Sequence, residues 1–312
     1  NPGGSSAGAG AAAAAGYGPL HLGTDIGGSV PLPACWNGIF TLKPSLGRVP
    51  VDPPFFGRAV GPMTRTVADS ALLMAELYKP DARDHMSLPP VSIDWSAGPL
   101  DPKGLKIGLH LDAGSGLPVE AETRAAIEAA AKLFATAGAH IEPVSPFLSP
   151  EMLHLQDLFW RVRSWVDFSA LPHARQAKVL PFIADWCRGG ADVSGPMMIK
   201  GVNNYMAIRA AATRATQPFD FVLSPVSPVP TYNAEWETPT NDVNRPLEHI
   251  SFTMPYNMSE QPASSINCGY TTEGKPIGLQ IAGHRFDDLG VMRLSRWFEG
   301  VRGPQKKWPE PT

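Results

Sequence analysis

The segment from 104 to 144 restricts the fold of this chain more than any other. GLKIGLHL (104–111) has the short apolar character of a strand, and VEAETRAAIEAAAKLFATAG (119–138) has a helical pattern that stops at Gly138. AHIEPV (139–144) then returns to an extended pattern. A strand, a helix and a second strand in direct succession imply parallel strands in one sheet. Other strands fit around this unit. FDFVLSP (219–225) has the pattern of a buried strand, and SINCGYTTEGKPIGLQIAG (265–283) that of two strands joined through Glu273-Gly274. ACWNGIFTLKPSLGRV (34–49), cut by Gly38, Pro44 and Gly47, predicts strand and turn.

Helices are expected at Ala7–Ala15, at VADSALLMAEL following Thr66 with Asp69 as its capping partner, and at DDLGVMRLSRWFEGV near the end. In MLHLQDLFWRVRSWVDF, residues Leu155, Leu158, Phe159, Val162, Trp165 and Val166 form a stripe expected to face the core. A proline-rich connector covers roughly 79–103. The whole predicts one α/β domain, a central mixed β-sheet covered by helices on both faces. With 30 glycines and 33 prolines among 312 residues, turns should be frequent.

A net charge of −3 gives no electrostatic reason to expect nucleic acid or an anionic membrane as partner. The three cysteines, Cys35, Cys187 and Cys268, are odd in number and far apart. That argues against a disulfide framework or a CxxC metal site and favours a reduced, cytoplasmic setting. The longest low-polarity run, AGAGAAAAAGYGPLHL, is broken by Gly16, Gly18 and Pro19, so no membrane span is expected. The chain opens on Asn1 inside what looks like a motif, which predicts a boundary cut from a longer protein.

Two serine loops carry the chemistry. In Asp25-Ile26-Gly27-Gly28-Ser29 the glycines can take backbone angles closed to other residues, so that successive N–H groups converge on one point. A hydroxyl beside such donors is what acyl transfer requires. The other loop, NPGGSSAG, lies at the start, with Ser5 24 positions before Ser29. Gly4-Ser5-Ser6-Ala7-Gly8 also matches GxSxG, but that elbow needs an apolar strand before it and a late histidine. His249 and His284 stand in no distinctive setting, so the elbow reading is weak.

Taken together, GGSS, the alanine-rich helix and GTDIGGS resemble the amidase signature family of Ser-Ser-Lys hydrolases. GPMTRTVADSA (61–71), DFVLSPVSPVP (220–230), FTMPYNMSEQPASSINCG (252–269) and GKPIGLQIAGHRFDD (274–288) follow as further blocks in the family's order. The resemblance implies the amidase signature fold over 1–312, lacking an N-terminal segment. Its signature core lies in 1–50, and a variable helical region at roughly 145–215 shapes the substrate pocket. It also implies Ser29 as nucleophile and Ser5, often preceded by a cis peptide, as the proton bridge to a lysine. The backbone N–H groups of Ile26, Gly27, Gly28 and Ser29 match the oxyanion hole. Thr24 matches a residue whose hydroxyl supports the Ser5 network, and Asp25 one that braces the loop.

The family's lysine precedes GGSS by several dozen residues and is absent here. Lys43, the nearest, matches a position not regarded as the base. The implied activity is hydrolysis of a carboxylic amide through an acyl-Ser29 intermediate, with no metal or cofactor. Its partners would be a small-molecule amide, the N-terminal segment and a second copy in a homo-oligomer. Alternatives are an amidotransferase subunit releasing ammonia for a partner that acts on charged tRNA, and a catalytically inactive binding protein. Pro31 stands where many members carry arginine, which counts against the amidotransferase. Phe55, Phe56, Trp160 and Trp165 are candidates for an apolar acyl pocket.

Overall fold

The computed structural model describes residues 1–309. Its centre is one sheet of eight strands: β1 (His21–Asp25), β2 (Phe40–Lys43), β3 (Ala59–Thr64), β4 (Lys106–Leu109), β5 (His140–Pro143), β6 (Phe221–Pro225), β7 (Ala263–Tyr270) and β8 (Pro276–Gly283). They lie in the order β1-β3-β2-β7-β8-β6-β4-β5. β4 pairs in parallel with both β5 and β6, while the other neighbours are antiparallel. The strands of the 104–144 unit are parallel, as its pattern predicts, and sit at one end of the mixed sheet.

Helices α1 (Ala7–Ala15), α2 (Pro31–Asn37), α3 (Val67–Leu77), α4 (Ala121–Thr136), α5 (Pro150–Ser169), α6 (His173–Gln176), α7 (Pro181–Arg188), α8 (Gly195–Thr216), α9 (Met254–Met258) and α10 (Asp288–Val301) cover it. Strand alternation assigns them to two layers. On β8, Ile277, Leu279 and Ile281 enter a core with Ile127 and Phe134 of α4 and Val291 and Phe298 of α10. Between them, Gly278 and Gln280 face the other way. A Cβ on Gly278 would lie 2.9 Å from Cys35 of α2, and Gln280 Nε2 donates to the Phe252 carbonyl at 2.7 Å. This second layer holds Leu32 and Trp36 of α2, Phe159 and Trp160 of α5, and Tyr205 and Ile208 of α8.

Two expectations need correction. The first is 34–49, of which residues up to Asn37 belong to α2 rather than to strand and turn. Pro31 and Pro33 fall in the first turn, where a missing N–H costs nothing. Gly38, at φ 71°, closes the helix by donating to the Ala34 and Cys35 carbonyls. The second is the stripe on α5, which buries Leu153, Gln156, Phe159, Trp160 and Phe168 and leaves Val166 62% exposed. The packing of α7 and α8, which sequence periodicity does not carry, rotates the buried face. Thr66 caps α3 as expected, accepting the Asp69 N–H at 3.1 Å.

Behind β2, buried charges lock the chain. The Asp288 carboxylate, fully buried at the start of α10, accepts from the Ser45 amide at 2.6 Å and Arg48 Nε at 3.0 Å. Lys43 is also buried, its Nζ donating to the carbonyls of Gln261 at 2.6 Å and Pro44 at 3.2 Å. Burial pushes the Lys43 ammonium down to about 8, against the pull of Asp25, Asp288 and Glu260. Replacing Asp288 with alanine should leave Arg48 buried and unpaired, a loss of about 3 kcal/mol measurable by urea denaturation.

Lys43 predicts a pH effect of definite sign. Below pH 8 the folded protein bears the full cost of burying the charge. Between 8 and 10.5 the folded state gives up this proton before the unfolded state does, so the Lys43 contribution to stability rises with pH. The difference in unfolding free energy between wild type and Lys43→Met should grow in favour of wild type across that window. A flat difference would contradict the assignment.

Candidate active site

The first serine loop is held by its own start. Asn1 Nδ2 donates to the Trp236 carbonyl at 2.8 Å, and Asn1 Oδ1 accepts the Gly3 N–H at 2.9 Å. Gly3 adopts φ 83°, and a Cβ there would lie 2.8 Å from the Trp36 ring. The following Gly4–Ser5 peptide is cis. The second loop, residues 26–30, joins the end of β1 to α2. Ser6 stitches the two together. Its Oγ accepts the Thr24 N–H at 3.1 Å and donates to the Thr24 carbonyl at 3.2 Å, while its N–H donates to the Ser29 carbonyl at 3.2 Å.

Asp25 shapes the second loop. One carboxylate oxygen accepts the Gly28 N–H at 2.9 Å and Asn257 Nδ2 at 2.7 Å, and the other accepts the Val30 N–H at 2.8 Å. The group is buried, so these charge-assisted bonds act with little competition from water. Both glycines are sterically required. Gly28 has φ 130°, and a Cβ on it would lie 2.4 Å from Thr253 Oγ1; one on Gly27 would lie 2.6 Å from the Trp160 ring. Thr253 Oγ1 also donates to the Gly27 carbonyl at 2.9 Å.

Ser5, Ser29, Ile26, Gly27 and Gly28 line one cavity of about 420 Å³. Its far wall comes from α5 (Trp160, Arg163, Ser164) and α7 (Phe182, Ile183, Trp186), with Leu247, His249 and Ile250 opposite. Asp157 couples these helices, accepting from Arg161 Nε at 2.7 Å and Trp186 Nε1 at 2.8 Å. Burial pushes the His249 imidazole down to about 4, so it is neutral at physiological pH. Its ring stacks near Trp36 at 6.1 Å, and Nδ1 has no hydrogen-bond partner among the described residues.

The structure thus gathers Ser5, Ser29, Ile26, Gly27, Gly28 and Trp160, with Asp25 beneath them. Other expected residues stand elsewhere. Gly28 contributes its N–H to Asp25, which leaves the Ile26, Gly27 and Ser29 amides without a protein acceptor among the described residues. Thr24 acts through its main chain, its side chain being exposed. Trp165 follows Trp160 by five residues, more than a third of a turn out of phase, and packs near Phe168 at 6.0 Å. Phe55 and Phe56 pack against each other with ring centres 4.4 Å apart and planes tilted by 30°, outside the cavity lining. Lys43 is likewise outside it.

Ser6, from the GGSS run, stands as a neighbour of the reacting serines rather than a participant, whereas sequence reasoning missed Arg163, Trp186, Thr253 and Asn257. Only the last two had a signal, their place in the block FTMPYNMSE. Among the described residues no three His, Cys, Asp or Glu side chains converge as metal ligands, and no helix is long and apolar enough to cross a membrane.

Comparison with known proteins agrees with this architecture. A glutamyl-tRNA(Gln) amidotransferase subunit from Myxococcus xanthus is 33% identical over 96% of this chain and 67% of its own length. An acylamidase from Rhodococcus erythropolis is 31% identical over 98% of the chain and 66% of its length. The crystal structure of a bacterial aryl acylamidase of the amidase signature family superposes with a TM-score of 0.85 at 31% identity, covering 96% of this chain and 66% of that one. The chain therefore spans about two thirds of the length of the relatives it matches. The Amidase family matches residues 1–292, and with serine loops, sheet and relatives in agreement, the chain belongs to that family.

Proposed function

We propose that this chain carries the acyl-transfer half of an amide hydrolase acting through Ser29. The observation that carries the reading is the convergence of Ser5, Ser29 and the Ile26–Gly28 backbone on one cavity. Ser29 Oγ attacks the amide carbonyl carbon while its proton passes to Ser5 Oγ, and the Ser5 proton passes to a neutral amine. The carbonyl oxygen takes up negative charge and receives the Ile26 and Gly27 N–H groups. Collapse of the adduct breaks the C–N bond, and the proton returns through Ser5 to the leaving nitrogen. Water then releases the acid from Ser29 along the same relay. The chemistry calls for no metal or cofactor.

The amine is a lysine outside these 312 residues. Lys43 Nζ is committed to two carbonyls away from the cavity, and the matched relatives are half as long again. The helices within roughly 145–215 form the acyl wall, and residues 1–50 hold the reacting groups. A glutaminase that passes ammonia to a partner acting on charged tRNA is the second reading, favoured by the amidotransferase subunits among the relatives; it predicts glutamine rather than a simple amide as substrate.

A fluorophosphonate probe applied to the chain lengthened upstream to include the lysine, followed by peptide mass spectrometry, tests the assignment. Adduct on Ser29, abolished in Ser29→Ala, is expected; adduct on another residue overturns it. Lengthening the chain upstream to include the lysine should raise amide turnover by roughly 10²-fold or more, and Ser5→Ala should remove most of that gain. Efficient amide hydrolysis by the 312-residue chain alone would refute the external base.

A further inference from the structure

The cavity wall holds a cation without a counter-ion. Arg163 lies on α5 nearly one turn beyond Trp160 and lines the cavity. Its guanidinium sits 4.5 Å from the centre of the Phe55 ring, and that of Arg58 approaches the same ring at 5.5 Å. Among the described residues, neither guanidinium has a carboxylate oxygen within 4.0 Å. Glu237 lines the same cavity and forms no such pair with Arg163. Among the described residues the Arg58 guanidinium donates only to the Pro53 carbonyl, at 3.2 Å.

Two like charges around one ring repel each other, and the Phe55 π face offsets only part of that cost. Burial and the Arg163 charge together press the Arg58 guanidinium below its ordinary value. Trp160, Phe182, Ile183, Trp186 and Ile250 make much of the remaining wall apolar, and Glu237, the one carboxylate in the lining among the described residues, is not paired with Arg163. A planar guanidinium fork matches a carboxylate in a way that a compact ammonium does not.

We propose that the ligand of this cavity carries a carboxylate remote from its amide group, bound by Arg163, whose repulsion from Arg58 across the shared Phe55 ring that anion would relieve. The substrate class would be amides whose acyl part ends in a carboxylate, such as monoamides of short dicarboxylic acids. This rests on the cavity being the amide site proposed above.

Binding to the 312-residue chain tests it without need of turnover. The probes are the monoanilide of glutarate and valeranilide, which differ only in a terminal carboxylate against a methyl group. Calorimetry should show the charged anilide binding roughly tenfold or more tightly to wild type. The preference should shrink as sodium chloride is raised to about 0.5 M, where charges are screened within a few ångströms. Arg163→Gln should erase it, Arg163→Lys should keep part of it, and Arg188→Gln, which removes an exposed cation of α7 paired with Asp185, should keep all of it. Equal affinities in wild type, or a preference that survives Arg163→Gln in a variant with wild-type circular dichroism, overturn the proposal. Failure of Ser29 to label in the chain lengthened to include the lysine, with the preference intact, would remove the hydrolase reading and leave a carboxylate-binding cavity. Labelling of Ser29 with equal affinities would do the reverse.

Discussion

The Asp25 carboxylate, buried at the end of an edge strand, organises everything that faces the cavity. It draws the Gly28 and Val30 amides inward and receives Asn257 from the far side of the domain. A charge this deep is tolerated only where its oxygens are fully engaged, so loop, helix start and Asn257 must arrive together. The Gly28 N–H turns inward, while the Ile26, Gly27 and Ser29 amides have no protein acceptor among the described residues. The loop that results closes against Thr253 and Trp160 with no room for a Cβ at either glycine. Ser6 then fixes the other serine loop to this one through three hydrogen bonds that use no reacting group.

Division of labour follows from the two layers. Strands, α3, α4 and α10 bury a core that includes the Arg48–Asp288 pair and gives the reacting loops a stiff base. On the opposite side, α5 and α7 line the cavity with α8 packed against α5, and the α5–α7 order depends on a few polar links such as Asp157 with Arg161 and Trp186. In the proposed function, the reacting loops stand on the sheet and the wall that would select the substrate is built from helices.

Much of the fold is legible because periodicity and turn chemistry report it directly. The 104–144 unit, the β7–β8 hairpin and the capped α3 each follow from local pattern. α2 is not legible, since a short helix whose first turn is Pro-Leu-Pro resembles a broken strand until its packing against β8 is known. The buried face of α5 escapes the sequence for a related reason. Its residues offer apolar side chains on more than one face, and α8 together with α7 selects the one bearing Leu153, Gln156 and Trp160. Phe55 illustrates the same limit at the site. Its aromatic character is plain in the sequence, but it lies outside the cavity lining and seats Arg163 and Arg58 instead.

By itself the sequence determined the α/β class, the family and the two serine loops, because these depend on residue order, glycine freedom and fixed spacing along the chain. Only the tertiary structure decided which amides stay free, which face of α5 forms the wall and where an uncompensated cation meets the cavity. Those outcomes hinge on contacts between residues such as Asp25 and Asn257, 232 positions apart, which share no local pattern and meet only when the sheet is assembled.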